Sequence, residues 1–167
     1  MEGSVTPAPR SRGISLGAAS AAFVAASCWV VGLRPLADNS FFTHLATGRL
    51  ILQDGAVPTH DPYTFTASGE PWVVQSWLVS CLYATVEALA GATGLRVLVA
   101  LGMGALGLIA WTLTKQVSAL TTRVALVTLY LLASFEMWAE RPFMFGLLAL
   151  GLVMLGAVGR VPLVALL

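Results

Sequence analysis

Long blocks without charge constrain this chain more than any other feature. Ile14 to Leu33 contains no charged residue. As a helix it would be about 30 Å long, enough to cross the hydrocarbon core of a bilayer. Four more apolar blocks follow, at 73–90, 97–113, 124–138 and 143–158. Only 10% of the 167 residues are charged and 57% are hydrophobic, whereas a soluble domain carries about 25% charged residues. Too few charges remain to solvate a globular surface, so the blocks are expected to face lipid. The sequence predicts an all-α fold: a polytopic transmembrane helical bundle of about five spans, multi-pass in the cell membrane, with the bilayer as its partner. The shorter blocks recruit flanking residues by snorkelling.

A net charge of +1 leaves no footprint for a nucleic-acid partner. Cys28 and Cys81 lie inside apolar blocks, where thiols behave as small hydrophobes. With no CxxC or Cys/His spacing, no metal ligand set is read from the sequence.

Residues 1–13, with Pro7, Pro9, Arg10 and Arg12, read as a disordered tail. The 14–33 block is longer than the usual signal-peptide core, which points to an uncleaved anchor. Short connections follow later: Gly91 to Gly94, Lys115 to Thr122, and Glu140-Arg141-Pro142, where Pro142 suits the first turn of a helix. Trp29, Trp72, Trp77, Trp111 and Trp138 read as interfacial anchors. Val161 to Leu167 looks like the opening of a sixth span, so the chain is expected to be the N-terminal part of a longer polytopic protein. With the N-terminus inside, the inner segments hold Arg10, Arg12, Arg96 and Arg141. The outer ones then hold Arg34, Arg49, Lys115, Arg123 and Arg160. The count does not favour this orientation, but Arg10 and Arg12 precede the first helix, which usually dominates. The loop at 34–72 is then extracytoplasmic.

That loop holds four of the eight acidic residues and both histidines. On a helical wheel, Ser40 to Asp54 sets Phe41, Phe42, Leu45, Ala46 and Leu52 on one side. Ser40, Thr43, His44, Thr47 and Asp54 fall on the other, and Ile51 breaks the pattern. This predicts an amphipathic helix over 40–54, capped by Asp38, Asn39 or Ser40, ended at Gly55 and lying in the membrane interface. Pro58, Pro62, Tyr63 and Phe65 suggest a short extended piece after it.

Asp38 sits just beyond the first span, where a lipid head group would lie. A carboxylate there could act as general base toward a substrate hydroxyl or hold a divalent cation as cofactor. It could equally be the N-cap of the next helix. Asp61 reads first as an Asp-Pro turn, and His44 as a hydrogen-bonding neighbour on the polar face. Glu136, Glu140 and Arg141 fall near helix ends, where Glu140-Arg141 reads as solvated.

With these residues in view, Asp38 to Leu78 resembles the first extracytoplasmic loop of GT-C-type glycosyltransferases and of bacterial membrane proteins related to them. The resemblance rests on Asp38, on His44-Leu45-Ala46-Thr47-Gly48-Arg49, on Gly55, Val57-Pro58, Asp61-Pro62-Tyr63, Phe65-Thr66, Trp72 and Trp77-Leu78, and on Arg141-Pro142. It implies transfer of a sugar from a polyprenyl-phosphate donor to an extracytoplasmic acceptor. Asp38 takes the catalytic place of the family's first-loop acid, as base or metal partner. Arg49 and Arg34 are the implied donor-phosphate ligands, and His44 and Asp61 complete the substrate-binding candidates. The chain lacks an Asp-x-Asp pair and has fewer spans than such enzymes, so a chain of this length could be inactive. The rival readings are a non-enzymatic scaffold or assembly subunit, and a transporter fragment. The transporter is the weakest, because no span carries a central charge or a Gly/Pro break.

Overall fold

The computed structural model describes residues 15–134 and 139–159. The tail over 1–13, Glu136, Trp138, Arg160 and the expected opening of a sixth span over 161–167 lie outside the described residues. The fold is all-α. Its helices are α1 (Leu16–Gly32), α2 (Asn39–Asp54), α3 (Trp77–Leu113), α4 (Leu120–Ser134) and α5 (Phe143–Ala157). Among the described residues no strand forms. The piece expected to be extended holds only an isolated bridge between His60 and Pro71.

By length and composition one helical segment, Trp77–Gln116, could cross a membrane, while α1, α4 and α5 are shorter apolar helices. That segment is not straight. Gly91 has φ 62° and ψ −161°, outside the helical region. A Cβ on Gly94 would lie 3.4 Å from the carbonyl oxygen of Val86, although eight residues of straight helix span about 12 Å. The chain therefore bends sharply, and α3 consists of a first arm, 77–90, and a second arm, 92–113.

The second arm is the centre of the fold. It runs antiparallel to α1: Gly104 meets the Ala25 carbonyl and Trp29, Gly107 meets Cys28 and Val24, and Gly32 meets the backbone of Ala100. Its other side carries α5 in parallel, with Gly102 against Met144 and Gly151 against Ile109. Small residues let apolar helices approach closely enough for dispersion to act between backbones. Cys28, Val99, Met103, Leu106 and Met144 form the resulting core. α4 leans on this pair through the buried Val127.

A second cluster, of Phe41, Leu45, Tyr83, Ala84 and Leu95, joins α2 to both arms of α3 at one end of the bundle. α2 starts at the Asp38 cap and stops at Gly55, which is left-handed at φ 66°. Its buried side differs from the helical-wheel expectation. Phe41, Leu45, Thr47, Gly48 and Ile51 are buried, while Phe42 and Leu52 are each 53% exposed. The reason is Gly48. A Cβ there would run into the backbone carbonyl of Ser80, so the closest approach to α3 is centred on a residue without a side chain. That turns Thr47 and Ile51 inward.

The strict alternation of crossings is also corrected. It would place Arg96 and Arg141 at the opposite end from Arg34 and Asp38. Instead Arg96 donates from Nε to the carbonyl of Leu33 at 2.8 Å, and Arg141 pairs with Asp38 at 2.6 Å. All of these residues share one end of the bundle. The 77–90 arm leaves from that end and returns to it. Trp111, expected as an interfacial anchor, is buried, with the Arg123 guanidinium 4.1 Å from its ring centroid.

These contacts make a direct prediction. Gly48→Leu, which forces a side chain into the Ser80 backbone, should lower stability by about 3 kcal/mol, the upper range for overpacking. Gly17→Ala, where a Cβ meets nothing within 4 Å, should be neutral or slightly stabilising. Unfolding in detergent, followed by circular dichroism, compares the two.

Candidate functional site at the junction of α1, α2 and α5

Between α1 and α2 the chain runs through Leu33 to Asp38, and α2 begins with four backbone N–H groups that have no helical partner. Asp38 answers part of this need. Its Oδ1 accepts from the Ser40 N–H at 2.8 Å and from the Ser40 hydroxyl. Its Oδ2 accepts from Arg141 Nε at 2.6 Å. Glu140, the residue before Arg141, reaches the same turn from the other direction. Its carboxylate accepts from the N–H groups of Ala37 and of Asp38, the latter at 2.8 Å. Glu140 is 3% exposed, so it is a buried acid satisfied by backbone donors and not the solvated residue expected from the sequence.

Two consecutive residues before α5 thus clasp two consecutive residues before α2 across more than a hundred positions. Tyr83 lies beneath the clasp, with its ring centroid 5.0 Å from Phe41 and 6.0 Å from Phe145. Its hydroxyl is buried and has no hydrogen-bond partner among the described residues. His44 is half-buried and places Nδ1 3.2 Å from the Ser80 hydroxyl.

The charges of the site follow from these contacts. Burial alone would raise the Asp38 carboxyl. The hydrogen bonds from Ser40 and Arg141, with the Arg141 charge, outweigh burial and hold it below the usual carboxylate range. Burial pushes the His44 imidazole down, opposed by the charge of Asp38, and so favours the neutral ring. The Arg141 side chain is 59% exposed and that of Asp38 10%. A ligand reaching this place from solvent meets the guanidinium first.

The other residues read from the sequence are placed elsewhere. Arg49 forms a two-pronged pair with Glu87, with Nε 2.7 Å from Oε2. Arg34 is exposed at the end of α1. Asp61 turns into its own loop, where it accepts from the Tyr63 N–H at 2.8 Å and from both the N–H and hydroxyl of Thr64. Those bonds hold its carboxyl low, the Thr64 hydroxyl contributing most. His60 contacts Thr59. The loop folds back on α2 through the Tyr63 hydroxyl, which donates to Thr47 at 3.2 Å.

A divalent cation does not fit at Asp38. Both carboxylate oxygens are engaged, one by a guanidinium that would repel a cation. Among the described residues no three His, Cys, Asp or Glu side chains converge. Glu140 and Arg141 are the site residues that reading the loop alone misses. The signal was there: they are the one place in this charge-poor sequence where opposite charges adjoin. Compared with protein families, with curated proteins and with solved structures, the chain matches none of them.

Two predictions separate the roles. Glu140→Ala leaves two N–H groups without an acceptor and should cost about 2 kcal/mol. Glu140→Gln keeps an acceptor oxygen and should cost clearly less, as read from unfolding midpoints. For Asp38 the folded value lies below its unfolded one of about 3.9. Its contribution to stability is therefore complete above about pH 4 and is lost as pH falls through the lower folded value. Asp38→Asn should flatten that acid limb in a stability–pH profile.

Proposed function

We propose that the chain is a multi-pass membrane protein of the glycosyltransferase-like kind, with the Asp38–Arg141 junction as its donor site on the extracytoplasmic face. The donor would be a polyprenyl-phosphate sugar and the acceptor a hydroxyl. The observation that carries this reading is the pairing of an enclosed carboxylate with an exposed guanidinium where the first apolar helix ends.

The chemistry follows from that pair. Arg141 presents a planar fork suited to a phosphate. As paired, Asp38 is a weak base, because its proton affinity is held down by Arg141 and Ser40. A phosphate that draws Arg141 toward itself removes that restraint and raises the proton affinity of Asp38. The base is thus strengthened when donor arrives, and the acceptor hydroxyl gives up its proton as the lipid phosphate leaves. Arg49 and Arg34 lie on the same side of the bundle. The Arg49–Glu87 pair is exposed and worth little in water, so an anion could exchange into it.

The arrangement is served by four crossings: α1, the second arm of α3, α4 and α5. With the N-terminus inside, the inner end then carries Lys115 and Arg123, and in the sequence Arg10 and Arg12 precede the first crossing and Arg160 follows the last. The outer end carries Arg34, Arg49, Arg96 and Arg141. This agrees better with the positive-inside rule than the five-crossing alternation does.

A non-enzymatic assembly subunit is the second reading. It is favoured by the saturation of Asp38, whose two oxygens serve the α2 cap and the Arg141 pair. One substitution tests both. Asp38→Asn retains a capping oxygen but removes the charge. On the enzyme reading, transfer of labelled sugar from a polyprenyl-phosphate donor should fall at least a hundredfold in membranes, with insertion unchanged. Wild-type transfer by Asp38→Asn would remove Asp38 from the chemistry.

A further inference from the structure

The 77–90 arm of α3 has two opposite faces. Ser80, Tyr83 and Ala84 are buried against α2. On the other side Leu78, Leu82 and Leu89 are 67%, 37% and 82% exposed. At 100° per residue these three leucines and Thr85 fall within an arc of about 60°. That is one continuous apolar stripe, and none of the described residues packs upon it.

Hydropathy alone reads this arm as a span. The contacts at its two ends exclude a crossing. Before it, α2 and the 55–76 loop belong to the end of the bundle where Asp38 meets Arg141. After it, Leu95 joins the Phe41 cluster and Arg96 bonds the Leu33 carbonyl at that same end. A segment that begins and finishes on one side cannot also pass to the other.

We propose that the 77–90 arm lies in the head-group interface, on the side of the 55–76 loop, and sets its leucine stripe against the lipid of that leaflet. The proposal rests on the membrane reading above. Three observations favour lipid over a protein partner. Thr85, the hydroxyl within the stripe, donates to its own helix at the Cys81 carbonyl, 2.8 Å away, so it asks nothing of its surroundings. The arm's one charge, Glu87, is turned aside into the pair with Arg49. Trp77 is half exposed at the arm's start, a residue suited to the boundary between head groups and acyl chains. The same internal bonding recurs on the apolar helices, where Ser20 donates to Leu16 and Thr112 to Leu108. The stripe thus carries the surface chemistry of the spanning helices while lying outside the row of crossings.

The test uses the full chain in intact cells, with Cys28→Ala and Cys81→Ala as background and one cysteine added at a time. Ser68→Cys lies in the loop, Thr93→Cys just after the Gly91 bend, and Lys115→Cys at the far end of α3. A membrane-impermeant maleimide should label Ser68→Cys and Thr93→Cys from the same side and Lys115→Cys only after permeabilisation. If the arm crosses, Thr93→Cys falls on the opposite side from Ser68→Cys, and the proposal is overturned. Leu82→Cys should react at least tenfold more slowly than Ser68→Cys, and a fluorophore there should be quenched by lipids brominated near the head group. Reaction as fast as at Ser68 would show the stripe facing water and would also overturn it. Release of the background protein by alkaline carbonate would defeat the membrane reading itself, an outcome distinct from either labelling result.

Discussion

The approach of two backbones, α1 and the second arm of α3, governs the rest of the molecule. At Gly32, Gly104 and Gly107 there are no side chains to hold the helices apart. Backbones this close gain dispersion contacts at short range that bulkier side chains would prevent. Every other helix takes its place from this pair. α5 seats on the opposite side of the second arm at Gly102 and Gly151, and α2 on the first arm at Gly48. Larger residues at these points would move the ends of α1 and α5 apart, and with them the groups that meet above.

The clasp between Glu140-Arg141 and Ala37-Asp38 depends on that spacing. It joins two kinds of demand. Backbone donors at the opening of α2 need acceptors, and a buried carboxylate needs donors. Glu140 meets the first with its own charge, and Asp38 divides its two oxygens between Ser40 and Arg141. Local helix capping and long-range ion pairing thus share one carboxylate, and the junction is a structural joint that gathers a buried acid and an ion pair in one turn.

Local chemistry was legible in the sequence; long-range pairing was not. The ends of α2 were written in Asp38 and Gly55, and the Gly91 bend falls in a glycine-bearing connection. These are decisions made within a few residues. The buried side of α2 was misread because a helical wheel weighs side chains, and the contact is set by Gly48, which has none. Arg96 and Arg141 were placed at the wrong end because alternation assumes that each apolar block crosses. Apolarity reports that a segment avoids water and not that it passes through. In the site, the position of Asp38 at a helix start was visible, as was the Asp61 turn. The partner of Asp38 lies 103 residues on, and no periodicity carries information across that distance.

That separation bears on how the molecule comes into being. When Asp38 leaves the ribosome, its second oxygen has no guanidinium, and the N–H groups of Ala37 and Asp38 have no carboxylate. Their partners emerge about a hundred residues later, on the order of ten seconds at ordinary rates of synthesis. Through that interval the α1–α2 junction is an incomplete acidic turn. The arrival of α5 finishes it in a single event, so the junction records whether the last described helix has docked.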